Sequence, residues 1–359
     1  MYVFLLSACT RALTRLPVPE GIPAGPVLAA YDPAAGMLTA LNAQTTPAQP
    51  NPPGIRLPLP TGCAVWSLHP AASTRWLAVE LDCPGGPLVQ AVHMDTGELR
   101  LMSPDLETDS HFLDWHPDGR RIYLRVDGLR DPRIVRMDVH TGGIENLPIS
   151  PYAYDLSVHP GGQRLIYTLT LGIGLGSETW LADADGRNAG PFIRDDMGLI
   201  TFARWSPDGG RLAYIRMPDA QVPFTIGQLF VLEETRDAPR LVAAVDAGHG
   251  YAPAWSPDGT RLAFIVRDNP NDPLADSSYA ALQSSLWVAD LTTGTLTRFE
   301  TPPGARVESP AWSPDGLSLA ATVAHNGTID SWIFNVSDAS AALLRYGAGK
   351  LHPVWLPGR

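Results

Sequence analysis

One five-residue motif, Trp-Ser-Pro-Asp-Gly, recurs along this chain of 359 residues and constrains its fold more than any other feature. Four copies keep the motif or replace only its Ser by His, at residues 115–119, 205–209, 255–259 and 312–316. Three weaker copies lie at residues 68–70, 158–162 and 355–358. Their prolines are 43 to 57 residues apart, at Pro70, Pro117, Pro160, Pro207, Pro257, Pro314 and Pro357.

Each copy predicts a tight turn between two β-strands. Pro followed by Asp-Gly is a typical turn composition, and apolar residues flank the motif on both sides. A period in the forties with several short strands per unit is typical of a β-propeller blade. The sequence therefore predicts an all-β fold, with one propeller of four-stranded blades over residues 27–359.

The units resemble the Trp-Ser-Pro-Asp-Gly repeats of TolB-type, WD-repeat-like β-propellers over residues 62–359. This resemblance implies an extracytoplasmic platform that binds another molecule. Similar propellers also stand in front of the hydrolase domain in prolyl oligopeptidases. The present sequence has no Gly-x-Ser-x-Gly motif and no α/β half after its repeats, so that hydrolase chemistry is not expected.

Two incomplete units at the ends of the chain are expected to form one blade together. Residues 27–31, 37–42 and 55–59 have strand character but lack an inner strand, whereas residues 351–355 have the inner-strand signature without partners. Joining them would close the ring and remove exposed sheet edges. We predict seven blades on this basis. Six is the alternative, if the N-terminal strands only add to a neighbouring blade.

The N-terminus resembles a bacterial lipoprotein signal. Residues 6–9 read Leu-Ser-Ala-Cys, like a lipobox, so Cys9 is the predicted lipidation site and residues 1–9 the remnant of a signal peptide. Only eight uncharged residues precede Cys9, fewer than the roughly 15–30 of a signal peptide, which indicates a start codon assigned too far downstream. A chance match in a cytosolic protein is the alternative. Residues 10–26 contain four prolines and predict an extended tether.

Composition excludes several classes of partner. The formal net charge is −11 and the sequence contains no basic run, which argues against binding to nucleic acid or to an anionic membrane surface. No apolar stretch approaches the roughly 20 residues of a transmembrane helix. We expect a monomer that binds a protein or peptide and contacts the membrane only through its lipid.

Cys63 and Cys83 are the two cysteines that remain once Cys9 is assigned to lipid. Pairing the first hairpin about its turn places Cys63 opposite residue 82 or 83, so a disulfide is geometrically reasonable. Such a bond would fit an oxidising compartment. The alternative is a pair of buried free thiols.

Three histidines, His69, His116 and His159, are separated by the blade period rather than by a metal-ligand spacing. They occupy the Ser position of the motif, where a side chain can hydrogen-bond to the backbone of its own turn. We predict a structural role for them. The sequence predicts no metal site, no cofactor and no catalytic residue.

A ring of residues four positions before each repeat Trp, or its equivalent, is the predicted channel mouth. Its polar and aromatic members are candidates for ligand binding, and they are His111, Tyr154, Thr201, Tyr251 and Glu308. Equivalent positions in a propeller converge on one end of the central channel. The alternative is a solvated rim without a ligand.

Two functional hypotheses follow. The first is a non-enzymatic, lipid-anchored propeller in the bacterial cell envelope that binds a protein or peptide. The second is a small-ligand binder or a lyase- or lactonase-like enzyme that acts at the channel mouth. A broad exposed apolar surface would favour the first hypothesis, and three or more converging acid–base residues, or a metal, would favour the second.

Overall fold

The computed structural model describes residues 13–42, 52–103, 109–128, 132–172, 175–219, 224–234, 238–247, 251–337 and 351–359. The predicted lipidation site, Cys9, lies outside these residues. Within them the regular secondary structure is β-strand, apart from one short 3₁₀ turn at Tyr279–Ala281. No helix in this part of the chain is both long and apolar enough to span a bilayer.

The strands build seven antiparallel sheets. In chain order they are β1 (Thr14–Arg15), β2 (Val27–Asp32), β3 (Met37–Leu41), β4 (Gly54–Arg56), β5 (Ala64–Pro70), β6 (Trp76–Asp82), β7 (Leu88–His93), β8 (Glu98–Leu101), β9 (Asp109–Trp115), β10 (Arg121–Asp127), β11 (Arg133–Asp138), β12 (Ile144–Asn146), β13 (Ala153–Val158), β14 (Arg164–Thr170), β15 (Ser177–Asp183), β16 (Gly190–Asp195), β17 (Gly198–Trp205), β18 (Arg211–Pro218), β19 (Ile226–Glu233), β20 (Arg240–Asp246), β21 (Ala254–Trp255), β22 (Arg261–Arg267), β23 (Ser284–Asp290), β24 (Leu296–Arg298), β25 (Arg306–Trp312), β26 (Ser318–His325), β27 (Thr328–Asn335) and β28 (Leu351–Leu356).

Each sheet is one blade of a closed ring. From the inner to the outer strand, blade 1 is β5 to β8, blade 2 is β9 to β12, blade 3 is β13 to β16, blade 4 is β17 to β20, blade 5 is β21 to β24, blade 6 is β25 to β27, and blade 7 is β28, β2, β3 and β4. Every blade contacts the next one around the ring. The predicted all-β propeller with seven blades is confirmed, and the alternative of six is rejected.

Blade 7 joins the two ends of the chain. β28 pairs with β2 in antiparallel register, with Leu28 opposite Trp355 and Val27 opposite Leu356. Leu28 and Leu356 are fully buried, and Trp355 is 8% exposed. The predicted closure is therefore correct, and the contacts that close the ring are mainly apolar.

The repeated motif forms the turn between the first two strands of a blade. In the copy at Ser256, the hydroxyl donates to Asp258 Oδ1 at 2.5 Å and accepts the backbone N–H of Arg261 at 2.9 Å. Gly259 has φ +68°, a left-handed conformation that favours glycine. The side chains of the motif therefore satisfy the polar groups of their own turn.

The repeat tryptophans connect neighbouring blades. The indole Nε1 of Trp255 donates to the carbonyl oxygen of Arg204 in blade 4, and that of Trp312 donates to Ala254 in blade 5, both at 2.9 Å. Trp115 in blade 2 makes the same bond to His69 in blade 1 at 2.9 Å. Each of these three Trp residues thus contributes apolar contact area and one directed hydrogen bond to a blade interface. The buried Nε1 atoms of Trp205 and Trp355 have no hydrogen-bond partner within the described residues.

His116 and His159 have the predicted structural role. His116 Nδ1 accepts the N–H of Asp118 in its own turn at 3.2 Å, and its Nε2 donates to the Gly162 carbonyl in blade 3 at 3.1 Å. His159 repeats both bonds, to Gly161 and to Gly209 in blade 4. These side chains cap one turn and attach it to the next.

For His69 the prediction of a turn cap is wrong. Its turn lacks the Asp-Gly of the motif, and its imidazole stacks on Phe112 of blade 2 with ring centroids 4.0 Å apart. Its Nε2 lies 2.7 Å from the hydroxyl of Ser67. His69 is therefore available to a different group of residues, described with the channel mouth below.

The N-terminal segment, predicted to be an extended tether, contacts the propeller. Thr14 and Arg15 pair with Leu99 and Glu98, so β1 adds a fifth strand to the outer edge of blade 1. Further along, Ile22 is 7% exposed in the core between blades 1 and 7. The segment is extended, but from Leu13 onward it packs on the propeller.

Cys63 and Cys83 are joined by a disulfide, with their Cα atoms 4.1 Å apart. Cys63 directly precedes β5 and Cys83 directly follows β6, so the bond fastens the two inner strands of blade 1 at one end. In the chain-entropy model, a crosslink that closes a loop of about 20 residues contributes about 3 kcal/mol to the free energy of unfolding.

A polar network links the inner strands of blades 2, 3 and 4. Asp114 accepts backbone N–H groups of Trp115 and Val158, both at 2.8 Å. Asp155 accepts from Ala203 N at 2.9 Å and from Arg204 Nη1 at 2.8 Å. Burial raises the pKa of Asp114 to about 6, and the Arg204 charge and the two hydrogen bonds only partly offset this.

Removing residues 351–359 should destabilise the whole ring. The deletion takes away β28 and the burial of Trp355 and Leu356, each worth about 1.5–3 kcal/mol, and it exposes an edge of β2. Thermal and urea unfolding should show a loss of at least about 3 kcal/mol. The matched control is Leu317→Ala, at a side chain that is 63% exposed. A truncated protein that unfolds like the full chain would contradict the shared blade.

The stability difference between Asp114→Asn and the unmodified protein should depend on pH. The folded-state pKa is above the ordinary value, so the contribution of Asp114 is fully present at low pH and is lost as pH rises through about 6. Relative to the unmodified protein, Asp114→Asn should gain about 2 kcal/mol between pH 4 and pH 7. Urea unfolding over this range measures the difference.

Asp258→Asn serves as a control with the opposite sign. Burial tends to raise the pKa of Asp258, but hydrogen bonds from Ser256 and Thr260 outweigh it and hold that pKa below its ordinary value. Asp258 therefore stabilises the folded state above its unfolded-state pKa, and its removal should cost more at pH 7 than at low pH. A pH-independent difference for Asp114→Asn would reject the assigned shift.

Candidate binding face and channel mouth

The two faces of the ring have different chemistry. Each inner strand begins at the face of the ring where the second strand of its blade ends. The residues paired across these two strands show this: Ala64 with Asp82, Asp109 with Asp127, and Arg306 with Ala324. We call this side the mouth face. The opposite side carries the repeated turns and is called the turn face.

On the mouth face, Glu80 of β6 collects hydrogen-bonding groups from blade 1. Ser67 lies opposite Glu80 in the strand register and donates its hydroxyl to Oε2 at 3.0 Å. His69 Nε2 lies 2.7 Å from the Ser67 hydroxyl and 3.4 Å from Glu80 Oε2. Because the Ser67 proton points to Glu80, the Ser67 oxygen accepts from His69, which carries its proton on Nε2.

His111 of blade 2 extends this group of residues. Its Nδ1 lies 3.8 Å from Glu80 Oε1, and its Nε2 lies 3.6 Å from Asp127 Oδ2. Arg125, opposite His111 in register, contacts Asp127 Oδ2 with Nη2 at 2.5 Å. Ser67, His69, Glu80, His111 and Asp127 are together called the mouth cluster.

The carboxyl group of Glu80 is ionised at neutral pH. Burial raises its pKa, but the hydrogen bonds from His69 and Ser67 and the nearby imidazoles outweigh this effect, so the pKa lies below its ordinary value. The Glu80 side chain is 14% exposed, whereas those of His69 and His111 are 31% and 35% exposed. The mouth cluster therefore presents two imidazoles to solvent, supported by a carboxylate beneath them.

Trp66 is the most unusual residue of the mouth. It lies in a register shift of β5, between Val65 and Ser67, and its side chain is 65% exposed. The equivalent residue is buried in each of the other six blades, where it is Leu113, Leu156, Ala203, Pro253, Pro310 or Pro353. An indole exposed on an inner strand has no packing role that would account for it.

A second group of residues lies between blades 5 and 6. Tyr279, in the long loop after β22, donates its hydroxyl to Glu308 Oε1, and Arg306 Nε donates to the same oxygen at 2.5 Å. The Arg306 guanidinium lies 3.6 Å from the centroid of the Tyr279 ring. Burial, together with the Glu308 carboxylate, raises the pKa of both Tyr251 and Tyr279.

His352 of blade 7 lies between the two groups. Burial lowers its pKa, while Glu308 on one side raises it and His69 on the other lowers it. The ionisable residues thus form an arc around part of the mouth, from Tyr251 in blade 5 through blades 6, 7 and 1 to His111 in blade 2.

The five predicted mouth residues do not form a single pocket. Tyr251 and Glu308 lie together, and His111 belongs to the mouth cluster. Tyr154 instead donates its hydroxyl to the Ile200 carbonyl of blade 4 at 2.6 Å, and Thr201 is 9% exposed. Tyr154 therefore supports the interface between blades 3 and 4, and Thr201 is a buried residue of blade 4.

Sequence reasoning missed Trp66, Ser67, Glu80 and Tyr279. Glu80 and Tyr279 are outside the inner strands, so the predicted ring of residues four positions before each repeat Trp could not include them. Trp66 could have been found, because it is a large aromatic residue where other blades have Leu, Ala or Pro. The described residues contain no group of three or more His, Cys, Asp or Glu side chains arranged to hold a metal ion.

Exposed apolar side chains are concentrated on the mouth face. In the part of the chain that the structure describes, ten large hydrophobic side chains are exposed. Those on the mouth face are Trp66, Tyr152, Leu175, Met197, Leu274, Tyr279 and Ile329. Those on the turn face are Leu241, Leu296 and Leu317. The loops at the mouth therefore provide most of the exposed apolar surface.

No protein-family model matches this chain, and no curated protein matches it either.

Solved structures match the fold over most of the chain. TolB from Acinetobacter baumannii aligns with 94% of this chain and 68% of its own, at 16% identity and a TM-score of 0.52. Oligogalacturonate lyase from Vibrio parahaemolyticus aligns with 96% and 86%, at 11% identity and a TM-score of 0.57. The tricorn protease aligns with 96% of this chain but 35% of its own, at 13% identity and a TM-score of 0.58. At these identities the likeness concerns the fold alone: the chain is a seven-bladed β-propeller that is similar in fold to TolB.

Proposed function

We propose that this propeller is an extracytoplasmic platform that binds a protein partner through its mouth face. The observation that carries the proposal is the unequal distribution of apolar surface, since seven of the ten exposed large hydrophobic side chains lie on that face. Exposed apolar side chains rimmed by polar ones are typical of protein-binding surfaces. The similarity to TolB supports the same class of function by analogy of fold.

The most exposed apolar side chains lie around blade 3. Tyr152, Leu175 and Met197 are 73%, 61% and 78% exposed and belong to three successive loops of the mouth face. The backbone of Gly176 lies directly against Asp195 and Asp196, so the loops of Leu175 and Met197 are in contact. Together these three side chains are called the blade 3 patch.

Charged residues flank Met197 in the blade 3 patch. Arg194 pairs with Asp196 at 2.5 Å, and Arg216 pairs with Asp195. An apolar centre with a polar rim is the usual anatomy of a protein interface, and most of the binding energy comes from a few central side chains. We assign the central role to Tyr152, Leu175 and Met197.

Anchoring by a lipid at Cys9 is part of the proposal. The disulfide between Cys63 and Cys83 supports an oxidising compartment. β1 begins five residues after Cys9, a separation that spans at most about 18 Å of extended chain. A lipid at Cys9 would therefore hold the edge of blade 1 close to the membrane.

A second candidate function is ligand binding or acid–base chemistry at the mouth. The observation that favours it is the convergence of Glu80, His69 and His111, since carboxylate and imidazole are the side-chain groups that most often act in acid–base catalysis. Catalysis would also need a substrate held against these groups. The protein-binding hypothesis remains the main proposal, because it accounts for apolar side chains on several blades.

Replacing Tyr152, Leu175 and Met197 together by Ala should abolish partner binding without unfolding the ring. All three side chains are exposed, so the melting temperature should stay within a few degrees. A partner identified by pull-down from the native envelope fraction should lose at least about tenfold in affinity, measured by surface plasmon resonance. The matched control is Leu317→Ala on the turn face. An equal loss in both variants would contradict binding through the blade 3 patch.

Cys9→Ser should release the protein from the membrane. If Cys9 carries the lipid, the protein expressed with its full upstream leader should enter the detergent phase, and the variant should enter the aqueous phase. Triton X-114 partition with immunoblotting measures this. Cys63→Ser with Cys83→Ser is the control, since it removes cysteines without touching the anchor. Unchanged partition of Cys9→Ser would reject lipidation.

A further inference from the structure

We propose that the channel mouth between blades 1 and 2 binds an organic cation, a guanidinium or ammonium group, between the Trp66 indole and the Glu80 carboxylate. The site is separate from the blade 3 patch and does not depend on the protein-binding function. Nothing in the similarity of the fold assigns a ligand to these residues.

The first argument is the balance of charge. Four carboxylates lie at this edge of the mouth, on Glu80, Asp82, Asp109 and Asp127. Arg125 pairs with Asp127, through Nε at 2.9 Å and Nη2 at 2.5 Å. Within the described part of the chain, Asp82 and Asp109 have no ion pair with any arginine or lysine. Arg133, opposite Val126, lies at the same edge. The four carboxylates still outnumber the two arginines, and this surplus of negative charge attracts cations.

The second argument is an acceptor atom left open on Glu80. The hydrogen bonds from Ser67 and His69 both end on Oε2. The other oxygen, Oε1, faces His111 Nδ1 at 3.8 Å, which is too long for a hydrogen bond. The Oε2 bonds hold the carboxylate in place, and Oε1 is free to accept an N–H group from a ligand.

The third argument is the position of Trp66. It lies in the register shift opposite Glu80 and Leu81, at the start of the channel, and 65% of its side chain is exposed. Trp is the aromatic side chain that attracts cations most strongly through its ring face. The strand register places this exposed indole opposite the residue that carries the carboxylate. An indole and a carboxylate are the two kinds of group that recognise a cation carried on a short apolar stem.

Binding can be measured with a small probe of known charge. The probe is N-acetyl-arginine methylamide, and its neutral analogue, N-acetyl-citrulline methylamide, has almost the same shape. The Trp66 indole N–H signal can be identified by NMR as the one missing from the Trp66→Phe spectrum. We expect this signal to shift on titration with the arginine probe and not with the citrulline probe.

Two variants and two matched controls locate the site. Trp66→Ala should weaken binding of the arginine probe by about fivefold to tenfold. The affinity is measured by calorimetry or from the NMR signals of the probe. Glu80→Gln should weaken it at least as much, and Gln keeps an oxygen to accept from Ser67. The controls are Tyr152→Ala, an exposed aromatic in blade 3, and Glu98→Gln, which removes a carboxylate from β8 at the outer edge of blade 1.

The outcomes separate the possibilities. The proposed site is supported if binding requires the positive charge of the probe, Trp66 and Glu80, and if neither control variant changes the affinity. Equal binding of the citrulline probe overturns the proposed site. A loss of affinity as large in Glu98→Gln as in Glu80→Gln also overturns it, because a general attraction of the cation to a chain of net charge −11 would explain such a loss. No binding of the arginine probe also overturns it. Unchanged melting temperatures show that the variants are folded.

The same assay identifies the source of the cation. Acetyl-Ala-Ala-Arg-Ala-Ala-amide presents the guanidinium on a polypeptide. If it binds more than tenfold more tightly than the single capped arginine, the site is supported as one for a basic side chain of a polypeptide. Equal affinities support a site for a free small cation.

Discussion

The structure depends on the packing of each blade against its two neighbours. A single blade is a small sheet whose faces are apolar, and it cannot bury them alone. In the ring, the repeat Trp of a blade packs against the preceding blade, and the indole N–H of Trp115, Trp255 and Trp312 also donates to a backbone carbonyl there. Because every blade needs both neighbours, the ring is complete only when β28 pairs with β2.

This requirement makes the turn face uniform. Its turns are held by their own Ser and Asp side chains and are connected to one another, through His116 to Gly162 and through Arg261 to Gly316. Their polar groups are satisfied within the protein, and few are left for a ligand. The mouth face has loops of different lengths and sequences, so variation is tolerated there at little cost to the ring.

The mouth cluster arises where blade 1 departs from the repeat. His69 has lost the Asp-Gly turn that His116 caps, and it contacts Ser67, Glu80 and Phe112 instead. Trp66 occupies a position that is buried in the other blades and is itself exposed. Local departures from a structural rule, without a gain in packing, are expected at functional sites.

The sequence by itself determined the propeller, the seven blades and the joining of the chain ends, because a turn motif of fixed period and an inner strand without partners admit few other arrangements. It also placed Tyr251 and Glu308 at the mouth, since equivalent positions in a repeat occupy equivalent places. Only the tertiary structure decided that Glu80 lies between His69 and His111, and that Tyr279 reaches Glu308. Those contacts join different strands, loops and blades, and no spacing within one repeat encodes a distance between two of them.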